Sequence, residues 1–257
     1  MSFTTTWLAL RASFDAASRA RDLESRLAEW TTARAAYRPL SVVDLGAGSG
    51  NNKAHLSPRL SVGQNWTLVD ADGALLGEAA RQHPDATVRQ GDLARDLETL
   101  IPDDTDLVTA SALIDLVSGA WLERLAARVQ AVGCALLVVL TYDGRIAWES
   151  ETALDGDVRR LVNRHQQGDK GFGPALGPDA AAALAGLLPD AEAAPSDWVI
   201  GGGDGAMRRA LVDGWAGAAS EIVPDRAAEI EDWRRQAVIA PRRLRVGHAD
   251  QLWLPTD

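Results

Sequence analysis

The chain has 257 residues, 46% of them hydrophobic and 24% charged, and a formal net charge of −10. That length and apolar share can fill the core of one domain built on a wide sheet, whereas the acidic balance opposes non-specific binding to a phosphate backbone. Cys134 is the single cysteine, so neither a disulfide framework nor a thiolate metal site can be built, and within "GCALLVVLT" it is expected to be a small buried side chain.

The first residues lack a basic leader followed by an apolar run, so they do not read as a signal peptide. The longest apolar stretch, Ala131 to Leu140, falls far short of the roughly 20 residues a membrane span requires. A cytoplasmic protein with no membrane and no nucleic-acid partner is expected. Leu23, Leu27 and Trp30 recur at i, i+4, i+7, and Trp7, Leu10 and Phe14 more loosely, which predicts one or two helices over residues 6–36, ended by Pro39. From Ser41 to Thr141, five strands ("SVVDL", "WTLVD", "ATVRQ", "DLVTA", "CALLVVLT") alternate with helical segments. Leu93, Leu97, Leu100 and Ile101 mark one such helix; Trp121, Leu122, Leu125, Val129 and Val132 mark another. The first, fourth and fifth strands are apolar enough to be buried on both faces. Such alternation implies a parallel sheet joined by right-handed crossovers.

After Thr141 the pattern changes. "DGDVRRLVNRHQQG" reads as a polar helix, "DKGFGPALGP" as a Gly/Pro-rich loop, and "DAAAALAGLL" as a helix starting at an Asp cap. "APSDWVI" is a sixth strand. Helices carrying Met207, Leu211 and Trp215, then Ile230 and Trp233, precede a last strand in "RLRVGHADQLWLP".

The stretch "VVDLGAGSGNN" carries the chemistry. Gly46, Gly48 and Gly50 form G-x-G-x-G, whereas the dinucleotide fingerprint needs glycine at position 51, where Asn51 stands. Asp44, two residues before the first glycine, would repel a pyrophosphate. A carboxylate there suits a nucleoside carrying an ammonium and a sulfonium, as S-adenosylmethionine does. Asp70 ends the second strand, twenty residues beyond Gly50, where an acid accepts from ribose hydroxyls in nucleoside cofactors generally. Asp92, in "RQGDL" after the third strand, can accept an adenine amino group. "TASALID" follows the fourth strand, across the switch point from the glycine loop.

Together these residues resemble the class I S-adenosylmethionine-dependent methyltransferases, over Ser41 to Thr141. The resemblance implies that Gly46, Gly48 and Gly50 let the backbone approach the methionine part, with Asp44 near its ammonium. Asp70 would hold the ribose and Asp92 the adenine amino group. Leu93 would line the adenine, and Ser111 would meet the methionine end through its backbone. The expected architecture is α/β, a doubly wound, mostly parallel seven-stranded sheet (the Rossmann-like methyltransferase fold) in a single domain over 1–257. Its parts are a helical cap over 1–40, a cofactor-binding core over 41–141, a helical lid inserted after the fifth strand over 142–190, and C-terminal strands and helices over 191–257. The implied reaction is methyl transfer from S-adenosylmethionine by in-line displacement. A small-molecule acceptor is expected from the acidic surface and compact lid. The alternatives are a protein side-chain acceptor, or a member that binds the cofactor without methylating, as a regulatory subunit or for sulfonium-assisted cyclisation or elimination.

Methyl transfer needs a nucleophile held about 3–3.5 Å from the methyl carbon and shielded from water; a base is needed only where the acceptor carries a proton. Asp115 in "SALID" is one candidate, or else a helix-start acid favourable to the dipole. Tyr142, with Asp143, ends the fifth strand, although "YDG" also makes a good turn. His165 lies in "RHQQGDKGFGP" near Lys170, as a base over the pocket or a helix-end cation. Arg11 shares a face with Trp7 and Phe14, able to meet a methionine carboxylate or acidic substrate or to pair with Asp15 at i+4. The histidines have no spacing for a zinc site, so no metal is expected. Trp148 and Trp198 flank the insert, able to line an aromatic acceptor pocket or contact a cation.

Overall fold

The computed structural model describes residues 4–35, 38–239 and 242–256. Residue 36, the predicted end of the N-terminal helices, and residues 1–3, 37, 240, 241 and 257 of the expected domain lie outside the described residues. The chain opens with α1 (Thr5–Ser18), whose first turn is capped by Thr4, and α2 (Arg21–Arg34). β1 (Leu40–Leu45), α3 (Asn51–Leu56), β2 (Gln64–Asp70), α4 (Gly73–Gln82), β3 (Thr87–Gln90), α5 (Leu93–Leu100), β4 (Leu107–Ser111) and α6 (Gly119–Val132) follow. Asp72, Asp92 and Ser118 cap α4, α5 and α6 by accepting backbone N–H groups of the first turn, and Gly133 ends α6 in the left-handed conformation. The remaining elements are β5 (Ala135–Trp148), α7 (Ala153–Gln166), α8 (Ala180–Leu187), β6 (Glu192–Pro195), β7 (Trp198–Ile200), α9 (Gly205–Ile222), α10 (Ala227–Ile239) and β8 (Leu244–Trp253).

The sheet runs β3-β2-β1-β4-β5-β8-β6, with β7 also paired to β8. β3, β2, β1, β4 and β5 are parallel, whereas β8 lies antiparallel to β5. This is the expected doubly wound, mostly parallel α/β architecture, with eight strands in place of seven. The sixth predicted strand is two short ones, because β6 pairs with Ala249–Leu252 and β7 with Leu244–Val246. Pro195 has no N–H to continue the ladder, and beyond it the Asp197 carboxylate accepts from the His248 N–H at 3.2 Å.

β5 also differs from its predicted end at Thr141. It continues to Trp148 because β8 is long enough to pair with Ile146, Ala147 and Trp148. Register shifts fall between Val138 and Thr141 and between Tyr142 and Ile146, with Leu140 at φ 57° and Gly144 at φ 86°. Tyr142 and Asp143 therefore lie inside a bulged strand rather than in a closing turn.

Burial alternates along the central strands. Val43, Leu45, Val108 and Leu136 face α5, α6 and α8 through Leu97, Leu122 and Leu184. Val42, Leu68 and Leu137 face the other way, against Leu27, Leu56 and Leu76 of α2, α3 and α4. A further cluster surrounds the projecting β5–β8 arm, where Ile146, Trp148 and Val246 meet Val162, Trp215 and Trp233 of α7, α9 and α10. Trp7, Leu10 and Phe14 of α1 pack on this cluster. Asp155 ties it together, accepting from Trp233 Nε1 and from Arg242 at 2.7 Å each. Cys134 is buried as expected, and burial pushes its thiol up to about 12. Among the described residues no helix is long and apolar enough to cross a membrane.

Candidate active site

Gly46 and Gly48 adopt φ 66° and 55°, a region in which side chains are disfavoured. A Cβ at Gly46 would stand 3.3 Å from Leu113, and one at Gly48 would stand 3.4 Å from Leu8 of α1. Asp70 pins the loop: its carboxylate accepts from the Gly48 N–H at 2.8 Å and the Asp72 N–H at 2.9 Å. Beyond the strand ends this leaves a cavity of about 340 Å³. Gly46, Gly48, Asp70, Asp92, Leu93, Ser111 and Arg11 all line it, as do Leu8 of α1 and the Lys170–Phe172 segment. Phe172 is fixed edge-on to Trp121, with centroids 5.7 Å apart. Asp92 combines its place on the wall with capping α5 and pairing to Arg95 at 2.6 Å.

Two residues of the predicted cofactor set are not on the wall. Gly50 lies behind the loop, where a Cβ would stand 2.5 Å from His83 Cδ2. Asp44 is fully buried beneath it. Asn52 Nδ2 donates to Asp44 at 2.8 Å and to Thr109 Oγ1 at 2.7 Å, and Arg19 donates to Asn52 Oδ1 at 2.9 Å. Asp44 Oδ2 has no hydrogen-bond partner among the described residues. Burial pushes the Asp44 carboxyl up to about 7, against the Asn52 hydrogen bond and the Arg19 charge. Asp44 thus ties β1 to α3 under the loop.

A second cavity of about 170 Å³ shares Arg11, Ala112 and Leu116 with the first. It brings together Asp115, Tyr142, Trp7, Trp198, Trp215, His248 and Gln166. Asp115 is 6% exposed, and its Oδ1 has no hydrogen-bond partner among the described residues. Burial raises its carboxyl to about 6, opposed by its own backbone N–H and the Arg11 charge. Tyr142 donates to Asn163 Oδ1 at 2.7 Å, and burial holds its hydroxyl proton more tightly still. His248 Nδ1 stands 3.1 Å from the Val246 carbonyl, and burial pushes this ring down to about 3, so it is neutral. Ala112 at φ 50° and Leu140 at φ 57°, both on this wall, are the non-glycine residues with positive φ among those described. Backbone strain of this kind concentrates where a surrounding structure holds a functional geometry.

Arg11 keeps the i+4 pair and still borders both cavities: its Nε donates to Asp15 Oδ2 at 2.9 Å, and its Cζ lies 5.1 Å from the Trp198 ring centre. His165 reaches neither cavity. It leaves α7 towards α9, with Nε2 3.0 Å from Glu221, whereas Val162 and Gln166, four residues apart, face the second cavity. Lys170 donates to the His165 carbonyl at 3.1 Å, and burial lowers its pKa. Trp198 lines the second cavity, but Trp148 does not: it sits beneath Arg242, 4.3 Å from the guanidinium carbon. Trp7 and Trp215, read from the sequence only as residues of helices, are on the wall. An apolar residue beside a cavity has the same periodicity as one in a core.

No family model matches the chain, and no curated protein matches it in sequence. Among solved structures it is similar to the YcgJ protein from Bacillus subtilis, at 16% identity over 90% of this chain and 98% of that one, with a TM-score of 0.51. It is also similar to a TehB-like SAM-dependent methyltransferase from Corynebacterium glutamicum, at 18% identity over 67% and 74%, with a TM-score of 0.39. The bifunctional kinase-methyltransferase WbdD matches at 22% identity over 49% of this chain, with a TM-score of 0.39. The chain spans 30% of the length of WbdD and of the citrinin polyketide synthase CMeT domain structure, which it also matches. The strand order, the antiparallel β8 and the likeness to YcgJ over nearly the whole of both chains give the chain the doubly wound, mostly parallel α/β fold expected of the class I S-adenosylmethionine-dependent methyltransferases.

Proposed function

We propose that the protein transfers the methyl group of S-adenosylmethionine to a small-molecule acceptor. The observation that carries this reading is the pair of neighbouring cavities. One has bare glycine backbone and acids at the ends of β2 and β3; the other is aromatic and holds the buried Asp115, and Arg11, Ala112 and Leu116 form their common wall. The cavity residues fit the cofactor: Gly46 and Gly48 keep the loop backbone bare at positive φ, a Cβ at Gly46 would press on Leu113, and Asp70 borders the space while it holds the loop.

When bound, the cofactor supplies a methyl carbon activated by its sulfonium. Asp70 would accept from the ribose hydroxyls, Leu93 would pack on the adenine, Asp92 would accept from its amino group, and Arg11 would meet the methionine carboxylate. Towards the acceptor, the tryptophans exclude water and Asp115 holds a proton taken from the nucleophile. A small acceptor agrees with the cavity of about 170 Å³. It agrees too with the pairing of the C-terminal basic residues: Arg234 with Glu231 and Asp213, Arg235 with Asp232, and Arg242 with Asp155.

Incubation with methyl-labelled cofactor and a fractionated cell extract tests the proposal. The label is expected in the small-molecule fraction. Label confined to protein or nucleic acid overturns the acceptor class, and failure of both S-adenosylmethionine and S-adenosylhomocysteine to bind in calorimetry overturns the cofactor.

A further inference from the structure

The rings of the second cavity form a continuous aromatic wall. Trp7 meets Trp198 edge-on at 6.2 Å, and His248 lies 4.6 Å from Trp198 and 6.2 Å from Tyr142. The ionisable groups on this wall are Arg11, Asp115, Tyr142 and His248. Arg11 is matched by Asp15, which also accepts from Trp198 Nε1 at 3.0 Å. Tyr142 keeps its proton on Asn163, and His248 is neutral. That leaves Asp115, buried and with an unpartnered carboxylate oxygen. A buried carboxylate without a cation is costly, and tryptophan faces attract cations.

We infer that this cavity takes a small primary or secondary amine, bound as its ammonium against Asp115 with an apolar, ring-sized body among Trp7, Trp198 and Trp215. Its volume, about 170 Å³, is close to the roughly 150 Å³ that accommodates a benzene ring. Its role as the acceptor site rests on the methyl-transfer reading; the ammonium selectivity stands on the cavity alone. The ammonium gives one proton to the Asp115 carboxylate. The freed lone pair then forms the N–C bond to the methyl carbon of the sulfonium cofactor while the C–S bond breaks. Its electron pair stays on sulfur, leaving a neutral thioether and a methylated ammonium. Asp115 would be the catalytic base.

The test is calorimetry on the full chain with benzylamine and 2-phenylethylamine, against the matched alcohols (benzyl alcohol, 2-phenylethanol) and acids (benzoate, phenylacetate), with and without S-adenosylhomocysteine. At least one amine is expected to bind about tenfold or more tightly than its alcohol and its acid. Asp115→Asn is expected to abolish that preference while S-adenosylhomocysteine binds as before, and Trp198→Leu to weaken the amine. Asparagine keeps the shape of the side chain, and a thermal melt of the variant confirms that it folds. Equal binding of alcohol or acid, no binding of either amine, or an intact preference in Asp115→Asn overturns the inference. Amine binding that depends on Asp115 without any binding of S-adenosylhomocysteine supports the ammonium site while removing the methyl-transfer reading.

Discussion

Asp70 has two tasks, and its substitution acts on both. It holds the Gly48 and Asp72 N–H groups and borders the cavity proposed to take the cofactor. Asp70→Ala is expected to weaken S-adenosylhomocysteine binding by about 1–3 kcal/mol, because the loop and the ribose lose a charged acceptor together; an unchanged calorimetric affinity contradicts this role. Asp115 gives a second prediction at this scale, on stability. Its carboxyl is raised from 3.8 to about 6 by burial, so the folded chain holds a proton that the unfolded chain releases. The resulting stability is full below the unfolded value and is lost as pH rises through about 6. Asp44 contributes the same dependence up to about 7. Asp115→Asn removes the cost of ionising the buried group. It is expected to stabilise the protein above neutrality by at most about 3 kcal/mol, with the advantage gone below the ordinary carboxylate range. Melting at both pH extremes checks this, and an identical midpoint for variant and parent in mildly alkaline buffer contradicts it.

At the scale of elements, what the sequence made legible depends on how local the cause was. Strands β1 to β5 follow from short apolar runs and helices α5 and α6 from their periodicity. The expected Asp cap of α8 does not form, because Asp179 starts that helix without capping it and accepts from Gln167 Nε2 at 3.2 Å. The length of β5 does not follow from its own run, because its extension is set by pairing with β8, about a hundred residues away. Asp44 was readable as an acid near the glycine loop, but strand parity puts it on the same face as Val42, which α2 and α3 cover. That signal was present in the alternation. His165 and Gln166 differ by one step on α7, which turns one towards Glu221 and the other towards the cavity; periodicity alone does not set that phase. Gly50 has φ 86°, and an added Cβ would stand 2.5 Å from His83. Gly50→Ala is expected to cost about 1–3 kcal/mol of stability, with His83→Ala recovering only the steric part. A denaturation curve for Gly50→Ala that overlays the parent refutes this.

For the whole molecule, the two cavities differ in origin. The cavity of the glycine loop lies at the switch point between β1 and β4, where a doubly wound sheet opens its strand ends to ligand. The part of its lining at the strand ends, Gly46, Gly48, Asp70 and Asp92, was therefore visible as glycines and acids following successive strands. The aromatic cavity arises where α1, the end of β4, the β5–β8 arm, β7, α7 and α9 converge, so Trp7, Asp115, Tyr142, Trp198, Trp215 and His248 come together from the full length of the chain. No local pattern announces that convergence. The account stands on the two cavities acting as one reaction site, and a crystal structure with S-adenosylhomocysteine tests it most directly. The ribose hydroxyls are expected on Asp70, the adenine against Leu93, and the sulfur facing the cavity of Asp115. A thioether bound elsewhere, or a sulfur pointing away from Asp115, contradicts it.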